Sequence, residues 1–70
     1  MRYAIFIEKA AGSFSAYVPD LPGCIATGNS VEDVAKEIKK AIDFHLGGMR
    51  EDGITPPVPQ SYVDYVEIAA

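Results

Sequence analysis

The residue types best suited to chemistry in this chain begin with one histidine, one cysteine and ten side-chain carboxylates. His45 falls near the centre of an apolar stripe at helical spacing, with no serine or second cysteine placed to work with it. One histidine makes neither a catalytic triad nor a metal site, so it reads as a packed or boundary residue. Cys24 has no partner for an intramolecular disulfide. A reactive thiol needs a base or cation beside it, and the sequence places none there, so Cys24 reads as a small hydrophobe. A two-metal nuclease needs several acids converging from strands and helix. Here Glu8 closes a strand, Asp20 sits in a turn, Glu32 and Asp33 open a helix, and Asp64 and Glu67 fall on opposite faces of a strand. Gly28-Asn29-Ser30 precedes a helix N-terminus, where an anion can bind. With two acids beside it, Ser30 is read instead as the cap of its own helix. The residues predict a protein that is not an enzyme, holds no metal or cofactor, and works by binding another macromolecule.

The elements that position these residues follow from their periodicity. Arg2 to Glu8 reads as a strand with Tyr3, Ile5 and Ile7 on one face and Ala4 and Phe6 on the other. A turn at Ala11-Gly12-Ser13 leads to a second strand, Phe14 to Val18, which places Phe14, Ala16 and Val18 opposite Ser15 and Tyr17. Pro19-Asp20-Leu21-Pro22-Gly23 ends it, Pro22-Gly23 being the signature of a type II turn. A short third strand, Cys24 to Thr27, stops at Gly28-Asn29. Ser30 caps a helix whose stripe is Val31, Val34, Ala35, Ile38, Ala41, Ile42, His45 and Met49. Lys36, Lys39, Lys40 and Asp43 lie on the opposite side. Gly47-Gly48 is expected to loosen the helix end and Asp52-Gly53 to stop it. Thr55-Pro56-Pro57-Val58-Pro59 is an extended connector, and Tyr62 to Ile68 a final strand.

This order, β-β-β-α-β, predicts one α+β domain over residues 1–70. The first three strands form an antiparallel meander. The helix crosses back over one face, and the last strand lies parallel to the first, giving a four-stranded sheet of order 3-2-1-4. A single helix leaves the other face bare, with Ala4, Phe6, Tyr17 and Tyr65 on it. Such a patch marks a contact surface, the alternative being scattered surface aromatics that need no explanation. Phe44 lies off the buried stripe, for an interface or for local packing. Asp20 and Leu21 at the turn tip either touch a partner or brace the loop locally.

The chain has 70 residues and a net charge of −4. That balance argues against direct nucleic-acid binding, which draws on clustered Lys and Arg, and suits a basic protein partner. No apolar run approaches the ~20 residues that span a bilayer, and the N-terminus lacks a signal-peptide pattern. A cytoplasmic protein with no membrane contact is expected. A domain this small with a bare sheet face is also expected to pair into a homodimer or higher oligomer.

Tyr17-Val18-Pro19-Asp20-Leu21-Pro22-Gly23-Cys24, followed by Thr27-Gly28-Asn29-Ser30 and Pro56-Pro57, resembles the HicB family of antitoxins. The resemblance runs essentially the whole length of the chain. It implies a partial RNase H-like fold, and a partner, HicA, that is a small basic protein cleaving mRNA with a histidine. The antitoxin would bind that toxin and mask its active site. Many family members add a C-terminal DNA-binding domain. This sequence stops at Ala70 just after the last expected strand, so operator binding is not expected of it. The competing reading is an orphan HicB-like homo-oligomer, structural or ligand-binding, with no toxin. The tentative partner- or oligomer-contacting residues are Phe6, Tyr17, Asp20, Leu21, Phe44 and Tyr65.

Overall fold

The computed structural model describes residues 1–69. Three strands, β1 (Phe6–Ala10), β2 (Ser13–Tyr17) and β3 (Ile25–Gly28), precede one helix, α1 (Val31–Glu51). The strands form an antiparallel meander with β2 in the centre. Strand alternation then sorts the side chains. Ile7, Ala16 and Ala26 stand in register on the face toward the helix, with Phe14 beside them. Phe6, Tyr17 and Ile25 stand in register on the other face.

The core forms where the inner face meets one stripe of α1. Val34, Ile38 and Leu46 are buried against Ala16, Val18, Leu21 and Cys24, with Ile42 and Met49 partly buried beside them. Val34, Ile38, Ile42 and Leu46 are spaced by four residues, the row that lies on one helix face. Leu46 is absent from the predicted stripe. The rotation that buries it leaves His45 half-buried at the boundary.

Local chemistry explains each boundary. After β2 the chain makes two consecutive turns, each with proline in its second position. Leu21 N–H donates to the Val18 carbonyl and Cys24 N–H to the Leu21 carbonyl, both at 3.1 Å. Gly23 takes φ +82°, the positive value a type II turn demands there. Ser30 caps α1, its Oγ accepting from Asp33 N–H at 3.0 Å. At the other end Ile54 N–H donates to the Met49 carbonyl and Gly53 N–H to the Arg50 carbonyl, with Gly53 at φ +72°. That is a Schellman ending. Gly47 and Gly48 stay inside the helix rather than loosening it.

Two expectations are corrected. Periodicity predicts a first strand from Arg2, but its ladder starts at Phe6. Continuing the register past Phe6↔Tyr17 would set Ile5, Ala4 and Tyr3 opposite Val18, Pro19 and Asp20. Those residues are turning away, and Pro19 has no N–H to give. The second is the four-stranded sheet of order 3-2-1-4: among the described residues the sheet has three strands. Tyr62 to Ile68 is exposed and joins no ladder among the described residues. A strand exists only through its ladder partner. The chain before it is tied instead to the loop after β2 and to Tyr3, whose hydroxyl donates to the Pro57 carbonyl. The last residues run out from that anchor.

Candidate functional site

The helix covers one face of the sheet, and the most distinctive surface is on the other. Antiparallel register sets Phe6 opposite Tyr17 and Tyr17 opposite Ile25, so three large apolar side chains cross the sheet as one row. Directly opposed residues hold their Cβ atoms about 5 Å apart. The Phe6 and Tyr17 rings stack with centroids 5.4 Å apart and planes inclined by 25°. Phe6 is 38% exposed, Tyr17 41% and Ile25 69%. The neighbouring row, Glu8–Ser15–Thr27, is polar. An apolar strip bordered by polar groups is the surface chemistry of a protein contact rather than of a reaction centre.

Of the residues singled out from sequence, Phe6 and Tyr17 are brought together here. Ile25 belongs with them and was missed. Its signal was the alternation of Cys24 to Thr27, which sends Ile25 outward once Cys24 points to the core. Phe44 is 86% exposed but projects from the helix, on the side of the sheet away from this row. Tyr65 lies in the unpaired C-terminal segment and so does not join the outer sheet face. Leu21 is 1% exposed and is a core residue; the two turns fold it under the sheet end.

Asp20 braces the structure over a longer range than the loop itself. Its Oδ2 accepts from the backbone N–H groups of Gln60 and Ser61, both at 3.0 Å, and its Oδ1 accepts from Ser61 Oγ–H at 2.8 Å. These bonds favour the ionised form, so the carboxyl sits below its ordinary value, the Ser61 amide being the largest cause. The bracing expected within the loop is thus a clamp across the chain, joining residues 40 and 41 positions apart. Burial pushes the Cys24 thiol up, the opposite of what a nucleophile requires. Among the described residues no three His, Cys, Asp or Glu side chains gather as a metal site, and no helix is long and apolar enough to cross a membrane.

Comparison with known proteins adds a family. Residues 3–69 match the model of the HicB-like antitoxin of bacterial toxin-antitoxin systems. An uncharacterised 14.9 kDa protein from the rep-hol intergenic region of Haemophilus phage HP1 is 36% identical over 94% of this chain and 50% of its own length. A UPF0150 protein of Helicobacter pylori is 41% identical over 66% of this chain and 64% of its own. The chain therefore spans half to two thirds of the length of these relatives. Among solved structures, a chain of a HicA3 and HicB3 toxin-antitoxin complex superposes with a TM-score of 0.71 at 33% identity, covering 84% of this chain and 70% of that one.

Proposed function

This chain belongs to the family of HicB-like antitoxins, and from that premise we propose that it binds and neutralises a HicA-type toxin, a small basic ribonuclease, by covering its active site. The observation that carries this reading is the exposed Phe6–Tyr17–Ile25 row on the helix-free face. Its aromatic anchors are of the kind that dominate protein interfaces. The net charge of −4 suits a basic partner, drawing it in and adding to specificity more than to final affinity. The role is masking, so no catalytic group of this chain takes part. Phe44 is offered as a second contact on the helix side, and Asp20 acts indirectly by fixing the C-terminal segment.

The test is an RNA-cleavage assay with a HicA-type toxin encoded beside this chain. One equivalent of the chain should abolish cleavage. The Phe6→Ala/Ile25→Ala variant, whose changes lie outside the buried core, should need at least ~10-fold more protein for the same effect. Cleavage that continues in the presence of excess folded chain would overturn the reading.

The homo-oligomeric alternative is favoured by one separate observation, the exposed and β-prone Tyr62–Ile68 segment. Self-association through that segment leaves the outer face free and so fits either reading; what separates the orphan module is that it has no toxin to bind. The expected four-stranded, partial RNase H-like sheet is then a property of the assembly.

A further inference from the structure

We propose that Tyr62–Ile68 of one copy of this chain adds as a strand to the free edge of β1 in a second copy, reciprocally, so that the dimer is built by strand exchange.

The segment has the chemistry of a strand but joins no ladder among the described residues, although Tyr62 and Val63 line a pocket with Arg2, Tyr3 and Ala4 of their own chain. Tyr62, Val63, Tyr65, Val66 and Ile68 are residue types enriched in sheets. Tyr62 is 94% exposed and Tyr65 89%. Its departure point is fixed: Asp20 holds the Gln60 and Ser61 amides, and beyond Ser61 every described residue is exposed. The projection is large enough to change the dimensions of the molecule. A compact chain of 70 residues has a radius of gyration of roughly 11 Å; this one has 13.8 Å and measures 49 × 26 × 16 Å.

The receiving surface lies on the same molecule. β1 is an edge strand, and Tyr3 and Ile5 ahead of it have no ladder partner on either side. Between them and the helix runs a groove of about 430 Å³, floored by Tyr3, Ile5, Ile38, Ile42 and Leu46. It is the space a strand beside β1 would cover. The other sheet edge offers no such space, since the end of β3 lies against the first turn of α1 at Gly28. Length and charge agree. Tyr62–Ile68 and Tyr3–Lys9 both number seven residues, about 23 Å when extended. The segment carries Asp64 and Glu67, while the groove rim carries Lys39 and Arg50 beside the single acid Asp43. Ladder pairing along an exposed edge is an established mode of recognition. Two identical chains, each with a segment and a groove, satisfy both through one two-fold axis.

The experiment uses the full chain, with labelled and unlabelled copies mixed and nuclear Overhauser contacts filtered for pairs between copies. Contacts from Tyr65, Val66 or Ile68 of one copy to Ile5 or Ile42 of the other are expected. Tyr65→Pro and Val66→Pro are made separately, because only one of two adjacent N–H groups faces a given neighbour. Sedimentation equilibrium should find that at least one of them raises the dimer dissociation constant about tenfold or more, with the helix circular dichroism unchanged. Contacts found only within one copy would mean that the segment closes on its own β1, and would overturn the proposal. So would a monomer at millimolar concentration, or a dimer indifferent to both proline variants. None of these outcomes bears on toxin inhibition, which is assayed separately.

Discussion

Asp20 shows how one carboxylate can tie a turn to a segment 40 residues away. Three hydrogen bonds converge on it from Gln60 and Ser61, and they hold its pKa below that of an unfolded aspartate. A group with its pKa lowered by folding contributes its full stabilisation above the unfolded value of about 3.9. The contribution is lost as pH falls from there through the folded value. The clamp should therefore be intact at neutral pH and release under acid, read as faster hydrogen exchange at the Gln60 and Ser61 amides. Asp20→Ala should give the same release at pH 7 with the helix intact. Unchanged exchange in that variant would mean that the segment is held by Tyr3 and Pro57 instead. Gly28 is decisive for a different reason. A Cβ there would lie 2.7 Å from the Val34 nitrogen and 2.9 Å from its Cα, both backbone atoms that cannot swing aside. Gly28→Ala should destabilise the domain by about 1–3 kcal/mol in a denaturant melt, the usual cost of overpacking.

Among the elements, the helix was the most legible. Its cap, its acidic first turn and its glycine ending depend on neighbours within a few residues, which is the range over which sequence speaks for itself. Ser30→Ala leaves the Asp33 N–H without its acceptor and should cost about 1 kcal/mol, checked by the shift in thermal midpoint. The double turn after β2 was equally legible as a turn, since Pro22 and Gly23 admit few conformations. Its contents were not. Leu21 looked like a tip residue, and only the folding of both turns beneath the sheet buries it. β1 began four residues later than its periodicity suggested, because a ladder ends where the partner strand ends.

At the scale of the whole molecule, the surfaces proposed for other chains are the outer row across the sheet and the C-terminal segment with its groove. They predict separable defects. Substitution at Phe6 and Ile25 should weaken toxin inhibition and leave the dimer, whereas proline at Tyr65 or Val66 should weaken the dimer. A Phe6→Ala/Ile25→Ala variant that dissociates the dimer in sedimentation would place self-association on the outer face. By itself the sequence determined the family, the meander and helix, and the inner face of the sheet. All of these rest on local backbone preferences and on alternation along one segment. Only the tertiary structure decided that Ile25 completes the row with Phe6 and Tyr17, that Asp20 reaches Gln60 and Ser61, and that Tyr62–Ile68 joins no ladder among the described residues. Each of those depends on which distant segments meet, and strand propensity says that a segment can pair without saying with what.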